Sequence, residues 1–185
     1  NRLVIFIANR YINHPLPIDK NAPSLPHYRV FMYRRIDMAQ HFMWSAALAA
    51  SGSAQLANTI GTEKELNDSK RGSGFSFIDL ASDRAGVVFG EQATASPEKA
   101  LEIQQRMAKI KHYQAIMPAV WNLPEKLTEE MFKNRYHSIY SPKYQRVLKY
   151  IDQRIAQSEI YRPTPRCMSR EAFAPCPTKS RTTRP

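Results

Sequence analysis

Apolar residues recur at intervals of three and four through most of this chain, the spacing of a buried helix face. Between residues 37 and 159 this pattern predicts six helices, separated by glycine, proline and serine. Asp37 is the expected N-cap of the first helix, Ser76 of the third, and Ser96 of the fourth. The predicted helices span residues 37–51, 54–68, 77–93, 97–112, 128–136 and 142–159.

Both ends of the chain lack this pattern. Residues 1–36 contain a short apolar run, LVIFIA, and then four prolines within residues 14–26, which exclude a continuous helix there. Residues 161–185 are again rich in proline. The sequence therefore predicts a mainly α fold: a small bundle of about five to six helices at 37–160, an extended N-terminal arm at 1–36, and an extended tail at 161–185.

A chain of 185 residues is long enough for one hydrophobic core. No apolar run approaches the roughly 18 residues that cross a bilayer, so we expect a protein that is at most peripheral to membranes. The net charge is +11, and residues 162–185 hold six basic residues against one acidic residue. Such a tail is suited to an acidic protein surface, an anionic membrane or nucleic acid. Because Phe173 is its one aromatic residue, we expect no nucleic-acid partner.

The two cysteines, Cys167 and Cys176, lie in this tail with eight residues between them. A disulfide between them would stabilise the closed loop by roughly 2.5 to 3 kcal/mol on the chain-entropy model. Two reduced thiols are the alternative. Zinc binding is disfavoured, because no histidine or further cysteine lies near them.

Acidic residues form the clearest candidate site. Asp79 and Asp83 are four residues apart on the third predicted helix, and Gly86 and Gly90 continue the same face. Helical glycines cost about 1 kcal/mol each relative to alanine, so they indicate a closely packed neighbouring backbone. The first and second helices carry matching polar positions, and we expect the three stripes to meet. The candidate site residues are His41, Glu65, Asp68, Asp79 and Asp83, with Ser45 beside His41.

Three interpretations of this cluster stay open, because neighbouring carboxylates repel unless a metal cation, a basic residue or a proton lies between them. A divalent metal could bind to the carboxylates, with His41 as an optional ligand. The acids could instead form a structural polar cluster with Lys64, Arg71 or Arg84. Finally, His41 could act in acid–base catalysis. The chain contains no GxSxG, P-loop, HExxH or GxGxxG motif.

The segment with HF at residues 41–42, GTEKELND at 61–68 and GSGFSFIDLASDRAGVVFG at 72–90 resembles the YfiM-like family of bacterial envelope lipoproteins. It is more distantly similar to VanZ-like membrane proteins. The resemblance covers about residues 37–91 and implies a helical protein of the cell envelope, located in the periplasm or at the outer membrane of a Gram-negative bacterium. It maps the family's polar positions onto His41 and the four acids. Met38 and Ala39 replace an Asp-Lys pair that is common in relatives.

Two classes of function compete at this point. The first is a non-enzymatic subunit of a large envelope assembly, such as a type IV secretion core of the Dot/Icm type, with both arms docked on other protein subunits. The second is an envelope hydrolase or metal-dependent enzyme that uses the acidic cluster. No cofactor is expected in the first case and a divalent metal in the second.

Overall fold

The computed structural model describes residues 1–13 and 28–162, which are helical apart from turns and two isolated β-bridges. This confirms the mainly α prediction, with seven α-helices in the described residues instead of five to six. Two short 3₁₀ helices, Tyr113–Ala115 and Glu159–Tyr161, complete the order. The α-helices are α1 (Arg2–Asn13), α2 (Ile36–Ala50), α3 (Ala54–Arg71), α4 (Phe77–Thr94), α5 (Pro97–Met107), α6 (Glu129–Tyr136) and α7 (Pro142–Ala156).

The prediction of an extended arm over residues 1–36 is wrong for residues 2–13, which form the additional helix α1. Helix α1 packs on α2 and α4 and buries Ile5. Its ends are tied down by the side chains of Asn1, which donates to Ala93 O at 2.7 Å, and Asn13, which donates to Gln40 O at 3.4 Å. Because this packing outweighs the weak helix propensity of β-branched residues, the apolar run becomes helical. The four prolines lie outside the described residues, as do the tail from residue 163 and both cysteines.

Helices α2 and α4 form the centre of the bundle, where two glycines allow their backbones to touch. A methyl group at Gly86 would overlap the carbonyl oxygen of Phe42, and one at Gly90 would overlap that of Ala46. The predicted close approach at these glycines is therefore confirmed. It brings the polar face of α4 directly against α2.

Side-chain caps start four of the helices. Ser76 accepts a hydrogen bond from the Asp79 N–H at 3.1 Å, as predicted, and Ser96, Thr128 and Ser141 cap α5, α6 and α7 in the same way. The first predicted cap is wrong, since Arg35 occupies the N-cap position of α2 and Asp37 lies in the first turn. Among the ends, α3 runs three residues beyond residue 68, α5 stops at Met107, and α7 stops at Ala156.

An aromatic cluster holds the start of α4 against α6 and α7. The ring of Phe75 stacks on that of Phe132 at 4.6 Å, and Phe77 packs against Tyr136 and Tyr144. Phe75 also forms a β-bridge with Leu127, through N–H···O bonds of 2.7 and 3.0 Å. These contacts fix the segment from which Ser76 enters the polar cluster. In the part of the chain described, no helix is long and apolar enough to cross a membrane.

Candidate functional site

Asp83 lies where α2, α3 and α4 meet, and it is only 2% exposed. The Nδ1 atom of His41 lies 3.1 Å from both carboxylate oxygens, and the Ser45 hydroxyl donates to Oδ1 at 2.7 Å. Gly61 of α3 leaves room for the carboxylate, since a Cβ atom there would lie 2.9 Å from Oδ2. The predicted meeting of the three polar stripes is therefore present at Asp83.

Glu65 is completely buried one turn further along α3. Its Oε2 atom accepts the backbone N–H of Ser76 at 2.9 Å, and its Oε1 atom lies 3.2 Å from the Lys64 ammonium. Burial raises the pKa of this carboxyl to about 7, although the charge of Lys64 and the bond from Ser76 act in the opposite direction. Glu65 therefore exchanges a proton near neutral pH while it links α3 to the start of α4.

Asp79 pairs with a residue that the sequence analysis did not identify. Its Oδ1 atom lies 3.0 Å from the guanidinium of Arg35, which also binds Asp37 and Glu125 at 2.6 Å each. Burial raises the pKa of Asp79, opposed by the charges of His41 and Arg35. The charge of Arg35, directly before the helix that carries His41, was the available signal. Three acids from separate segments thus share one cation.

Of the three basic residues predicted as partners of the acids, only Lys64 pairs with the cluster among the described residues. Lys64 does bind acids of the cluster, since its ammonium lies 2.6 Å from Asp68, which is partly exposed. Arg84 instead pairs with Asp152 of α7 at 2.7 Å, and Arg71 lies exposed at the end of α3. The acids therefore find their partners in three adjoining groups, centred on Asp83, on Glu65 with Lys64, and on Arg35. Ligand atoms of His41, Glu65 and Asp83 still lie within 4.8 Å of one another.

A cleft of about 290 Å³ opens above His41 and Asp83. Within the described residues, His41 makes its hydrogen bonds through Nδ1 alone. Burial lowers the pKa of His41, but the hydrogen bond and charge of Asp83 outweigh this effect and raise it. The walls of the cleft also include Asn13, Gln40, Trp44, Ser45, Ala57, Ile60, Gly61 and Lys64.

This geometry limits the chemistry of the site. Ser45 donates to Asp83, which lies between it and His41, so the serine–histidine bond of a hydrolytic triad is not formed. His41, Glu65 and Asp83 each offer one ligand atom, and these atoms lie within 4.8 Å of one another. Such a nitrogen and oxygen set suits a first-row divalent metal. Asp68 and Asp79 are not part of this set. The arrangement also serves as a satisfied polar cluster without any ligand.

No protein-family model, curated protein or solved structure matches this chain. The resemblance to YfiM-like proteins therefore stays a prediction.

Proposed function

We propose that this protein is a non-enzymatic structural subunit of a large bacterial cell-envelope assembly, in the periplasm or at the outer membrane. A type IV secretion core of the Dot/Icm type is the assembly that we propose to examine first. The observation that carries the proposal is the outer face of α1, where aliphatic side chains point away from the bundle. Other protein subunits are the proposed partners.

The outer face of α1 is unusually apolar for a surface helix. Leu3 is 71% exposed and Val4 68%, with Ile7 and Phe6 also exposed on the same side. Contiguous apolar surface of this kind marks contacts with proteins or membranes. The inner side of the same helix is fixed to α2 and α4 by Ile5 and the two terminal asparagines. The face is therefore held rigidly, which lowers the entropic cost of docking.

The polar cluster supports the same proposal. Asp83, Glu65 and Asp79 each have hydrogen-bonding or charged partners among the described residues. Satisfied buried networks rigidify a fold and favour one arrangement of its helices. A subunit that docks between neighbours is served by such a rigid block.

The proposal is tested by substituting the outer face of α1. A tagged chain carrying Leu3→Glu and Ile7→Glu is expressed in a bacterium that has the complete assembly, and the detergent-extracted envelope is run on a sucrose gradient. The wild-type chain is expected to sediment with a large complex and the variant at the monomer position. Leu56→Glu, at an aliphatic position of α3 that is 50% exposed, is the control and should stay with the complex.

Two results would contradict the proposal. One is a wild-type chain that sediments as a free monomer. The other is binding of the wild-type chain, and not of the Leu3→Glu and Ile7→Glu variant, to protein-free vesicles, which would identify a lipid surface as the partner of α1. Circular dichroism of each purified variant ensures that the change in sedimentation reflects docking and not unfolding.

An envelope hydrolase or other metal-dependent enzyme is the second candidate. The specific observation in its favour is that His41, Glu65 and Asp83 lie within ligand distance of one another beside a cleft. Equilibrium dialysis of the purified chain against Zn²⁺ or Mn²⁺ tests it. One bound ion per chain, lost in Asp83→Asn and retained in Asp152→Asn, would favour a metal-dependent enzyme, and no bound ion would exclude the metal-dependent form.

A further inference from the structure

A second and larger cleft lies away from the acidic cluster, between the segment after α5 and the end of α7. Its volume is about 990 Å³. We call it the basic cleft, and the residues that define it are Tyr33, Lys109, Lys111, Trp121, Arg154 and Arg162. The size is that of a ligand-binding cleft in an ordinary protein.

The charge of the basic cleft is strongly one-sided. Two lysines and two arginines line it, and Glu159 is the one acidic residue among its lining residues. Lys109 and Lys111 are exposed and form no ion pair with any described residue, so their charges face solvent. A concave surface lined by one sign of charge concentrates its field and attracts ligands of the opposite sign.

Trp121 gives the cleft an apolar anchor point. Trp121 is 74% exposed, compared with 44% for Trp44, the other tryptophan. Its ring meets that of Tyr33 edge-on, with centroids 6.0 Å apart, and this contact supports the indole on one side only. Exposed tryptophans with such support are typical anchors of protein interfaces.

Arg154, one of the two arginines of the basic cleft, already hydrogen-bonds to other parts of the fold. Arg154 donates to Ala119 O and to Asn122 Oδ1 at 2.5 and 2.7 Å, and its guanidinium lies 4.1 Å from the centre of the Tyr150 ring. Arg154 therefore adds positive potential to the cleft, but its guanidinium is not free to donate two hydrogen bonds to a ligand. The remaining cations are the Lys109 and Lys111 ammonium groups and the guanidinium of Arg162, which donates from Nε to Gln157 O at 3.0 Å. The two ammonium groups attract carboxylates as point charges.

We propose that the basic cleft binds an extended acidic segment of a partner protein, with carboxylates facing Lys109 and Lys111 and an apolar side chain against Trp121. This inference rests on the proposed function, because it assigns one partner contact of the same subunit. The acidic residues must come from another molecule. Residues 163–185 carry five basic residues and one acidic residue, and residues 14–27 carry one of each.

The observations favour a peptide over single-stranded nucleic acid. Strands of nucleic acid stack successive bases on several aromatic rings. Here Trp121 is the exposed platform, and Tyr33 presents its ring at 74° to it. A negatively charged peptide with one apolar side chain matches a single anchor flanked by lysines.

The test uses the full chain with Trp44→Phe, which leaves Trp121 as the sole tryptophan reporter. The probe is a short fluorescein-labelled peptide of alternating Glu and Ser with one Leu, and a Gln/Ser/Leu peptide is its uncharged match. We expect the acidic peptide to bind in low salt and to quench Trp121. The double substitution Lys109→Glu and Lys111→Glu should weaken binding by at least about tenfold.

The matched control reverses two exposed lysines of α7, Lys143→Glu and Lys149→Glu, which changes the net charge equally. An effect below about threefold in this control supports a local site. Equal loss in both variants would overturn the proposal, since only net charge would then matter. Absence of peptide binding, or tighter binding of an oligo(dT) strand of equal length, would overturn it as well. None of these results depends on α1, so failure here leaves the sedimentation test of the proposed function intact.

Discussion

At the scale of single residues, Glu65 makes the stability of this protein depend on pH. Its folded-state pKa of about 7 lies above the ordinary value of 4.5, so the folded chain holds the proton more tightly than the unfolded chain. The stabilisation is complete below pH 4.5 and is lost as the pH rises to 7. The size of the loss is about 3 kcal/mol. The raised pKa of His41 acts in the same direction, because its stabilisation is lost as the pH rises through that value.

We therefore expect the free energy of unfolding to fall between pH 5 and pH 8, and to fall less in Glu65→Gln. Urea denaturation across this range measures the effect. Glu63→Gln, on the exposed side of the same helix, is the control and should keep the wild-type slope. An unchanged slope in Glu65→Gln would contradict the assignment of the titrating group.

Asp83 is the residue of the polar cluster whose substitution should lower the free energy of unfolding most. Asp83→Ala leaves His41 and Ser45 without their buried partner, and breaking such a pair costs about 3 to 5 kcal/mol. Asp152→Ala breaks the exposed pair with Arg84, where about 0 to 1 kcal/mol is expected. Thermal melts of the two variants give the comparison, and equal melting temperatures would contradict a structural role for Asp83.

Sequence spacing was sufficient to predict that Asp83 faces His41, because both sit on regular helices. It predicted Lys64 as a partner of the acids, but not the rest of the charge compensation. The other partner of Glu65 is the backbone N–H of Ser76, which no residue type reveals, and Arg35 reaches Asp79 from outside any helix. Compensation depends on three-dimensional placement, so the sequence could not show which cation or N–H group pairs with which acid.

At the scale of elements, the contact of α2 with α4 depends on Gly86. Alanine is the better helix former by about 1 kcal/mol, so Gly86→Ala would stabilise an isolated helix. In the bundle the added methyl group overlaps the carbonyl oxygen of Phe42, and overpacking of this kind costs about 1 to 3 kcal/mol. We expect a lower melting temperature, and a higher one would show that the two backbones can separate freely.

Helix α1 allows a matched pair of substitutions on one element. Ile5 is buried, and Ile5→Ala should cost about 2 to 5 kcal/mol. Leu3 faces solvent, and Leu3→Ala should change stability by less than about 0.5 kcal/mol. Chemical denaturation of the purified chain distinguishes the two. Similar losses at both positions would mean that the outer face is covered in solution.

The existence of α1 also marks the limit of sequence reasoning at this scale. A short run such as LVIFIA suits a strand or a buried helix equally, and periodicity cannot separate them. Packing favours the helix, because Ile5 is buried against α2 and α4 and the side chain of Asn1 donates to Ala93 O. By contrast, helices with serine or threonine caps were located to within a few residues, since a cap is a local signal.

At the scale of the whole molecule, two surfaces with different chemistry lie apart from the buried polar cluster. The face of α1 is aliphatic, and the basic cleft is positively charged with one exposed indole. The sequence predicted one helical bundle correctly and located excess charge in the tail. It did not predict the basic cleft, because Lys109, Trp121 and Arg162 are distant along the chain and come together only through the fold.

The β-bridge between Phe75 and Leu127 has a consequence for dynamics. The two amide protons form hydrogen bonds of 2.7 and 3.0 Å between Phe75 and Leu127, although neither residue belongs to a helix. The ring of Phe75 packs beside them on that of Phe132. Deuterium should therefore enter these two positions as slowly as it enters the middle of α4. Their exchange would report when the loop before α6 lifts away from the start of α4.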